Sequence, residues 1–395
     1  MRNSFKSLRA DENNPKWENI IKRENKLYSR NNDIRSEFER DYTRVINSTA
    51  YRRLKHKTQV FFSPENDHIC TRVEHVTLVE SISYTIANYL GLNTELTKAI
   101  ATAHDIGHSP FGHQGEHILS DISKRDVGKA FWHERNGLDT VDKIELLEDD
   151  KKNLQNLNLT YAVRDGIISH CGEIDENNLR PRDEAIDLDD YLIPNQYAPY
   201  TWEACVVKVA DKISYLGRDI EDAITMGILD EHLEKLYKVL NTGSDEIINN
   251  TVIINNLISD LCNNSNQEKG LCFSDKMFET INEIKKFNYK YIYFSEKMTP
   301  STEFFKIVLN QIYDTLKKAY KNKEKMEELY PELFEDFFGW FYEYTKNGRT
   351  EKFKNKVVFN PEDEKDFYSA IIYYIAGMTD NYAIKVYNNI IRNFA

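Results

Sequence analysis

The chain has 395 residues, with 15 Gly, 9 Pro and an aromatic share of 12%, a composition that excludes collagenous, low-complexity and turn-rich all-β chains and favours an all-α protein. Acids outnumber bases 64 to 52, for a net charge of −12, so no global positive field draws the molecule to nucleic acid or to an anionic membrane. Residues 1–27 are charged throughout and lack the apolar core of a secretory signal, and runs such as Ala370–Met378 fall far short of the ~20 residues that cross a bilayer. A cytoplasmic protein without a membrane partner is expected. The five cysteines, Cys70, Cys171, Cys205, Cys262 and Cys272, form no CxxC pair, a pattern of reduced packing thiols rather than a disulfide frame or a zinc ribbon.

In chain order, the first strong helical pattern is Glu74–Leu90. Val79, Ile82, Ile86 and Leu90 recur at spacings of three and four, and four residues back from Val79 stands His75, which therefore turns inward. Thr94 is the expected N-cap of a second helix, on which Leu96, Ile100, Ala103 and His104 share a face before Gly107 and Pro110 stop it. A third helix begins near Gly112 and sets His113, Glu116 and His117 at i, i+3 and i+4. The stretches Glu145–Leu159 and Asp183–Pro199 are polar and read as surface excursions. Thr201–Ala223 is a long helix with Lys208, Asp211, Tyr215 and Arg218 in one stripe and Lys212 and Asp219 on its flank. Ala204, Val206, Val207, Val209 and Ala210 make it a buried-looking helix, so the charges that interrupt it need partners. Amphipathic helices continue beyond residue 230, broken at Asn263–Gly270 and Lys346–Lys356. The expected division is a helical core over 1–230 and a C-terminal helical module over 231–395, the second being the expected place for subunit contacts. There is no internal repeat, no heptad run and no GxxxxGK[ST] or GxGxxG loop, which excludes P-loop and Rossmann nucleotide sites.

Nine of the ten histidines fall between His56 and His170, so the chemistry is expected there. An HD dipeptide alone says little. Here His104-Asp105 is accompanied by the inward His75 and by Asp211, two imidazoles and two carboxylates on three helices. That mixed set suits one divalent ion, Mn²⁺, Mg²⁺, Fe²⁺ or Zn²⁺, with positions left for water and substrate. His113, one helical turn before Glu116, is spaced to exchange a proton with an attacking water or a leaving oxygen. His108 and His133 read as pocket walls and His170 as a neighbour of the pocket. His56, His68 and His117 read as structural or exposed, and Lys57 as a solvated helix charge. The aromatic group Phe287, Tyr289, Tyr291, Tyr293 and Phe294 reads as packing.

The runs Arg52-Arg53-Leu54-Lys55-His56-Lys57-Thr58-Gln59-Val60-Phe61 and Thr71-Arg72-Val73-Glu74-His75, the stretch from His104 to Glu116 (HDIGHSPFGHQGE), and the positions Glu203-Ala204, Asp211, Tyr215 and Asp219–Ala223 together resemble the deoxyguanosine triphosphate triphosphohydrolase family of HD-domain phosphohydrolases. The resemblance spans about residues 35 to 230. It implies an all-α HD-domain core with one metal ion held by His75, His104, Asp105 and Asp211. It also implies cleavage of a deoxynucleoside triphosphate at the α-phosphorus, releasing the deoxynucleoside and intact tripolyphosphate. By the same resemblance, His113 and Glu116 are the catalytic pair, Arg53, Lys212 and Tyr215 bind triphosphate, and Asp219 lies near the sugar 3′-hydroxyl. Closed homo-oligomers, hexamers among them, with effector nucleotides or single-stranded DNA between subunits, are implied as partners. Two departures leave the base open: His133-Glu134-Arg135-Asn136-Gly137-Leu138-Asp139 replaces a common His-Asn-x-Gln-Ser-x-Arg, and Ser109 replaces a common proline. The competing readings are an HD phosphodiesterase or 5′-nucleotidase, against which the number of anion-binding groups speaks, and a non-catalytic nucleotide-sensing or DNA-binding regulator, against which the His113 and Glu116 pair speaks.

Overall fold

In a computed structural model, residues 2–27, 33–62, 66, 68–171, 177–240, 250–346 and 348–392 are described. Among them the fold is all-α, seventeen α-helices with one two-stranded hairpin pairing Leu147–Glu148 with Leu154–Gln155. The central layer is made by the helices Arg72–Leu90, Thr94–Ala103 and Trp202–Thr225, packed on one another, with Tyr161–Ser169 closing the side. Each starts on a defined cap. The Glu74 carboxylate accepts from the Thr71 N–H at 2.7 Å, and Thr201 accepts from the Ala204 N–H at 3.2 Å. The second helix is capped by Asn93 rather than by the expected Thr94. The Asn93 side-chain carbonyl takes the N–H groups of Glu95 (3.0 Å) and Leu96 (3.1 Å), whereas Thr94 already lies within the helix. Such a cap contributes about 1 kcal/mol.

The apolar interior falls into two cores. The first runs from Phe5 to Ile292, while the second gathers residues between Phe305 and Ile390 with Phe111, Ile118, Leu119 and Ile122 of the Gly112–Asp126 helix. The Asp275–Asn288 helix buries Ile281, Ile284 and Phe287 in the first core, and the residues from Phe305 onward gather in the second. The two expected surface excursions are partly interior. Leu157 and Leu159 are buried in the first, and Leu188 and Tyr191 in the second. Each stretch holds only two such apolar anchors amid polar residues, too few to establish a helix or strand period. No helix among the described residues is long and apolar enough to cross a membrane.

Candidate active site

The loop between the Thr94–Ala103 and Gly112–Asp126 helices carries His104, Asp105 and His108, and its glycines explain how it turns so tightly. A Cβ on Gly107 would lie 2.1 Å from the Gly137 nitrogen, so the loop and the His133–Asp139 helix touch backbone to backbone. Phe111 and Gly112 both have left-handed φ, 63° and 58°. Phe111 holds this costly conformation because its N–H donates to Asp380 Oδ1 at 2.9 Å and its ring stacks on Phe305 with centroids 4.3 Å apart.

His75, His104, Asp105 and Asp211 converge. His75 Nε2 lies 3.1 Å from Asp211 Oδ1 and 3.6 Å from Asp105 Oδ2, and His104 Nε2 lies 3.6 Å from Asp105 Oδ1 and 3.9 Å from Asp211 Oδ1. His104 Nδ1 donates to the Ala101 carbonyl at 2.7 Å, which fixes the tautomer and leaves Nε2 buried without a hydrogen-bond partner. Ser214 Oγ sits 3.2 Å from His75 Nδ1 and so orients that ring. An orphaned buried imidazole nitrogen facing two carboxylates is costly by itself and fits a divalent ion. Asp211 is the most exposed of the four, with 14% of its side-chain surface accessible against 0–4% for the others, so the cluster is reached from its side.

Sequence reasoning missed Arg72, which is fully buried and donates through Nη1 to Asp105 Oδ2 at 2.7 Å. Burial disfavours the Asp105 carboxylate, but His108, Arg72 and His104 outweigh it and hold the group well below its usual range. The signal was available in the spacing, since Arg72 stands one turn before His75 on the same helix face.

A second group lies alongside. His108 Nε2 is 3.0 Å from Asp105 Oδ1, and its ring stacks on His133 with centroids 3.8 Å apart. Glu116 sits 3.7 Å from His113 Nδ1 but engages His133 more closely, through its ring Nδ1 (3.0 Å) and its backbone N–H (3.0 Å). Burial favours neutral His133, yet Glu134 and Glu116 prevail and lift it to about 10. His113, with 49% of its side-chain surface accessible, is the open member of the group. His170 also belongs here: its Nδ1 donates to the Ile167 carbonyl at 2.6 Å, and its ring packs 4.9 Å from His104 and 5.3 Å from His133.

On the Trp202–Thr225 helix, Lys212 and Asp219 are buried and Tyr215 is half-buried. Burial pushes the Asp219 carboxyl up to about 6 although Tyr293 donates to its Oδ2 at 2.5 Å. Tyr293, expected only to pack, thus reaches a residue expected in the site. Arg53 stands apart: it pairs with Glu145 Oε1 at 2.8 Å on the wall of a cavity of about 580 Å³ formed with Trp340, Tyr373 and Tyr374 of the C-terminal helices. The reading of Lys57 as a solvated charge is corrected. Its ammonium is buried and donates to the carbonyls of His108 and Ala376, the latter at 2.8 Å, because the C-terminal helices cover a face that the local sequence leaves looking open.

A fold of this kind around a His/Asp cluster defines an HD-domain protein with the donor set of a phosphohydrolase, and the HD-domain family model matches residues 72–216. The chain is 34% identical over 360 residues to a deoxyguanosinetriphosphate triphosphohydrolase-like protein of Caldanaerobacter subterraneus, covering 91% of this chain and 86% of the relative. It is 32% identical over 374 residues to the protein of that name from Rickettsia bellii, covering 90% and 92%, and 31% identical over 367 residues to that of Clostridium tetani, covering 91% and 86%. The chain belongs to the deoxyguanosinetriphosphate triphosphohydrolase-like family.

Proposed function

We propose that this protein hydrolyses deoxynucleoside triphosphates to the deoxynucleoside and tripolyphosphate, using one divalent ion held by His75, His104, Asp105 and Asp211. The observation that carries this reading is the adjacency of two groups: a four-donor cluster with the His104 Nε2 unpartnered, and the His113–Glu116 pair one imidazole away across His108. When bound, the ion supplies Lewis acidity and a lowered pKa for a coordinated water. The chain's own residues do the rest. Water attacks the α-phosphorus and the bond to the 5′-oxygen breaks, so an alkoxide would leave unless it is protonated. His113 holds that proton. It is accessible, and Glu116 faces its Nδ1, which leaves Nε2 for the substrate. A triphosphate brings about four negative charges and needs fixed cations. Lys212 lies on the helix that carries Asp211, and we assign it, with Tyr215, to the phosphates, while the buried Arg72 holds Asp105 in place. Asp219, held by Tyr293, is assigned to the sugar hydroxyl.

The test is product identity. Purified protein is incubated with each of the four deoxynucleoside triphosphates and Mn²⁺ or Mg²⁺, and the products are resolved by anion exchange. Tripolyphosphate with free deoxynucleoside is expected, and Asp211→Asn is expected to lose both ion and turnover. Orthophosphate from a monophosphate substrate would favour the 5′-nucleotidase reading, and tight binding with no turnover the sensor reading.

A further inference from the structure

We propose that the aromatic cavity beside Arg53 is a second binding site, built for a small organic cation carrying an alkylammonium or quaternary ammonium group. The cavity, of about 580 Å³, is separate from the candidate active site: no residue of the His/Asp cluster or of the His113 group lines it. The two are joined through the buried Lys57. Its ammonium donates both to the His108 carbonyl and to the carbonyl of Ala376, the neighbour of Gly377 on the cavity wall.

The wall is built by two C-terminal helices. Trp340, Glu343 and Tyr344 stand at i, i+3 and i+4 where the Pro331–Tyr342 helix ends, so all three share a face. The Glu364–Ala376 helix adds Tyr373 and Tyr374. The Trp340 ring lies 5.0 Å from that of Tyr344 and 5.5 Å from that of Tyr374, centroid to centroid.

The polar groups decide the chemical class. Tyr344 donates its hydroxyl to the Ile144 carbonyl at 2.7 Å, Tyr373 to Asp139 Oδ2 at 2.5 Å and Tyr382 to Asp336 Oδ2 at 2.7 Å. With those hydroxyls spent, these tyrosines offer a ligand their rings. Glu145 is satisfied as well. It accepts from the Thr49 N–H at 2.9 Å and the Thr49 hydroxyl at 2.8 Å, and its ion pair with Arg53 at 2.8 Å cancels both charges. Glu343 differs: its carboxylate makes no hydrogen bond or ion pair among the described residues. Burial raises its pKa, and no neighbouring charge offsets that rise. A half-buried carboxylate without a counter-charge costs free energy that an arriving cation relieves. The rings attract the same cation through their quadrupoles. Carboxylate and rings both repel an anion, so the cavity does not suit a triphosphate.

The test compares choline with its neutral isostere 3,3-dimethyl-1-butanol, which has carbon in place of the charged nitrogen. Each is titrated into the full chain and followed by calorimetry. One choline per chain is expected, bound ~tenfold or more tighter than the alcohol. Glu343→Gln, at the half-buried end of a helix, is expected to weaken choline by ~tenfold and to leave the alcohol unchanged. Trp340→Leu is expected to weaken choline, with Trp340→Phe restoring most of the affinity. No saturable choline binding, equal affinity for the alcohol, an unchanged affinity in Glu343→Gln, or displacement of choline by a deoxynucleoside triphosphate would each overturn the assignment. Binding is read without turnover, so the result stands apart from the proposed function.

Discussion

His104 and His113 show how a single ring nitrogen sets the role of a residue. His104 is sealed, with Nδ1 committed to a backbone carbonyl, so Nε2 is pre-aimed and needs no reorganisation to receive a ligand. His113 is half open and held only loosely by Glu116, which suits the proton-donating role proposed for it. His113→Ala is therefore expected to retain the ion of the His75 cluster and to leave KM nearly unchanged while lowering kcat by ~10² or more. Steady-state kinetics with metal analysis checks this, and a wild-type kcat would remove His113 from the chemistry. At this scale the donor set was legible because helix phase alone turns His75 inward and places Asp211 on a stripe. Lys57 was not, since its acceptor at Ala376 is 319 positions away and nothing local distinguishes a lysine that will be covered from one that stays wet.

The decisive element is the His104–Phe111 loop with the helix that follows it. Its glycines are legible as turn residues, but the reason for each is not. Gly107 is needed where the loop backbone meets Gly137 and the carbonyl of His133, contacts a Cβ would make at 2.1 and 2.2 Å. Because these atoms are backbone and cannot swing aside, Gly107→Ala is expected to cost ~3 kcal/mol or more and to displace the His133 helix. Thermal unfolding by circular dichroism checks the stability, and a melting temperature within a degree or two of wild type would show that the two backbones part easily. The same helix explains why Glu116 was expected to serve His113 first: i, i+3 spacing predicts that pair, whereas the closer partner, His133, arrives from another helix that spacing cannot reach.

For the whole molecule, the site lies where the two cores meet. The Gly112–Asp126 helix bears His113 and Glu116 near its start and sends Ile118, Leu119 and Ile122 into the core built with the C-terminal helices. Asp380 fastens the same junction by accepting from the Phe111 and Thr58 N–H groups at 2.9 and 2.8 Å. The C-terminal module, expected to serve subunit contacts, thus also positions the candidate catalytic pair, a consequence of long-range packing that residue-by-residue periodicity cannot carry.

Lys57 gives this junction a pH signature. Burial pushes its ammonium down to about 7, from 10.5. Between those values the unfolded chain keeps a proton that the folded one has shed. The Lys57 contribution to stability is therefore fully present above 10.5, shrinks as pH falls, and is lost through about 7, with a slope approaching ~1.4 kcal/mol per pH unit. Relative to Lys57→Met, the wild type should gain stability in chemical denaturation between pH 7 and pH 9, and parallel curves for the two proteins would show that the amine is not desolvated.

The proposed reaction is hydrolysis at the innermost phosphorus by a water delivered beside the His/Asp cluster. It is tested most directly by turnover in ¹⁸O-labelled water, with the products read by mass spectrometry and ³¹P NMR. One labelled oxygen on a terminal phosphate of intact tripolyphosphate and none on the deoxynucleoside is expected. Label on the 5′-hydroxyl, or appearance of pyrophosphate with a deoxynucleoside monophosphate, would contradict it.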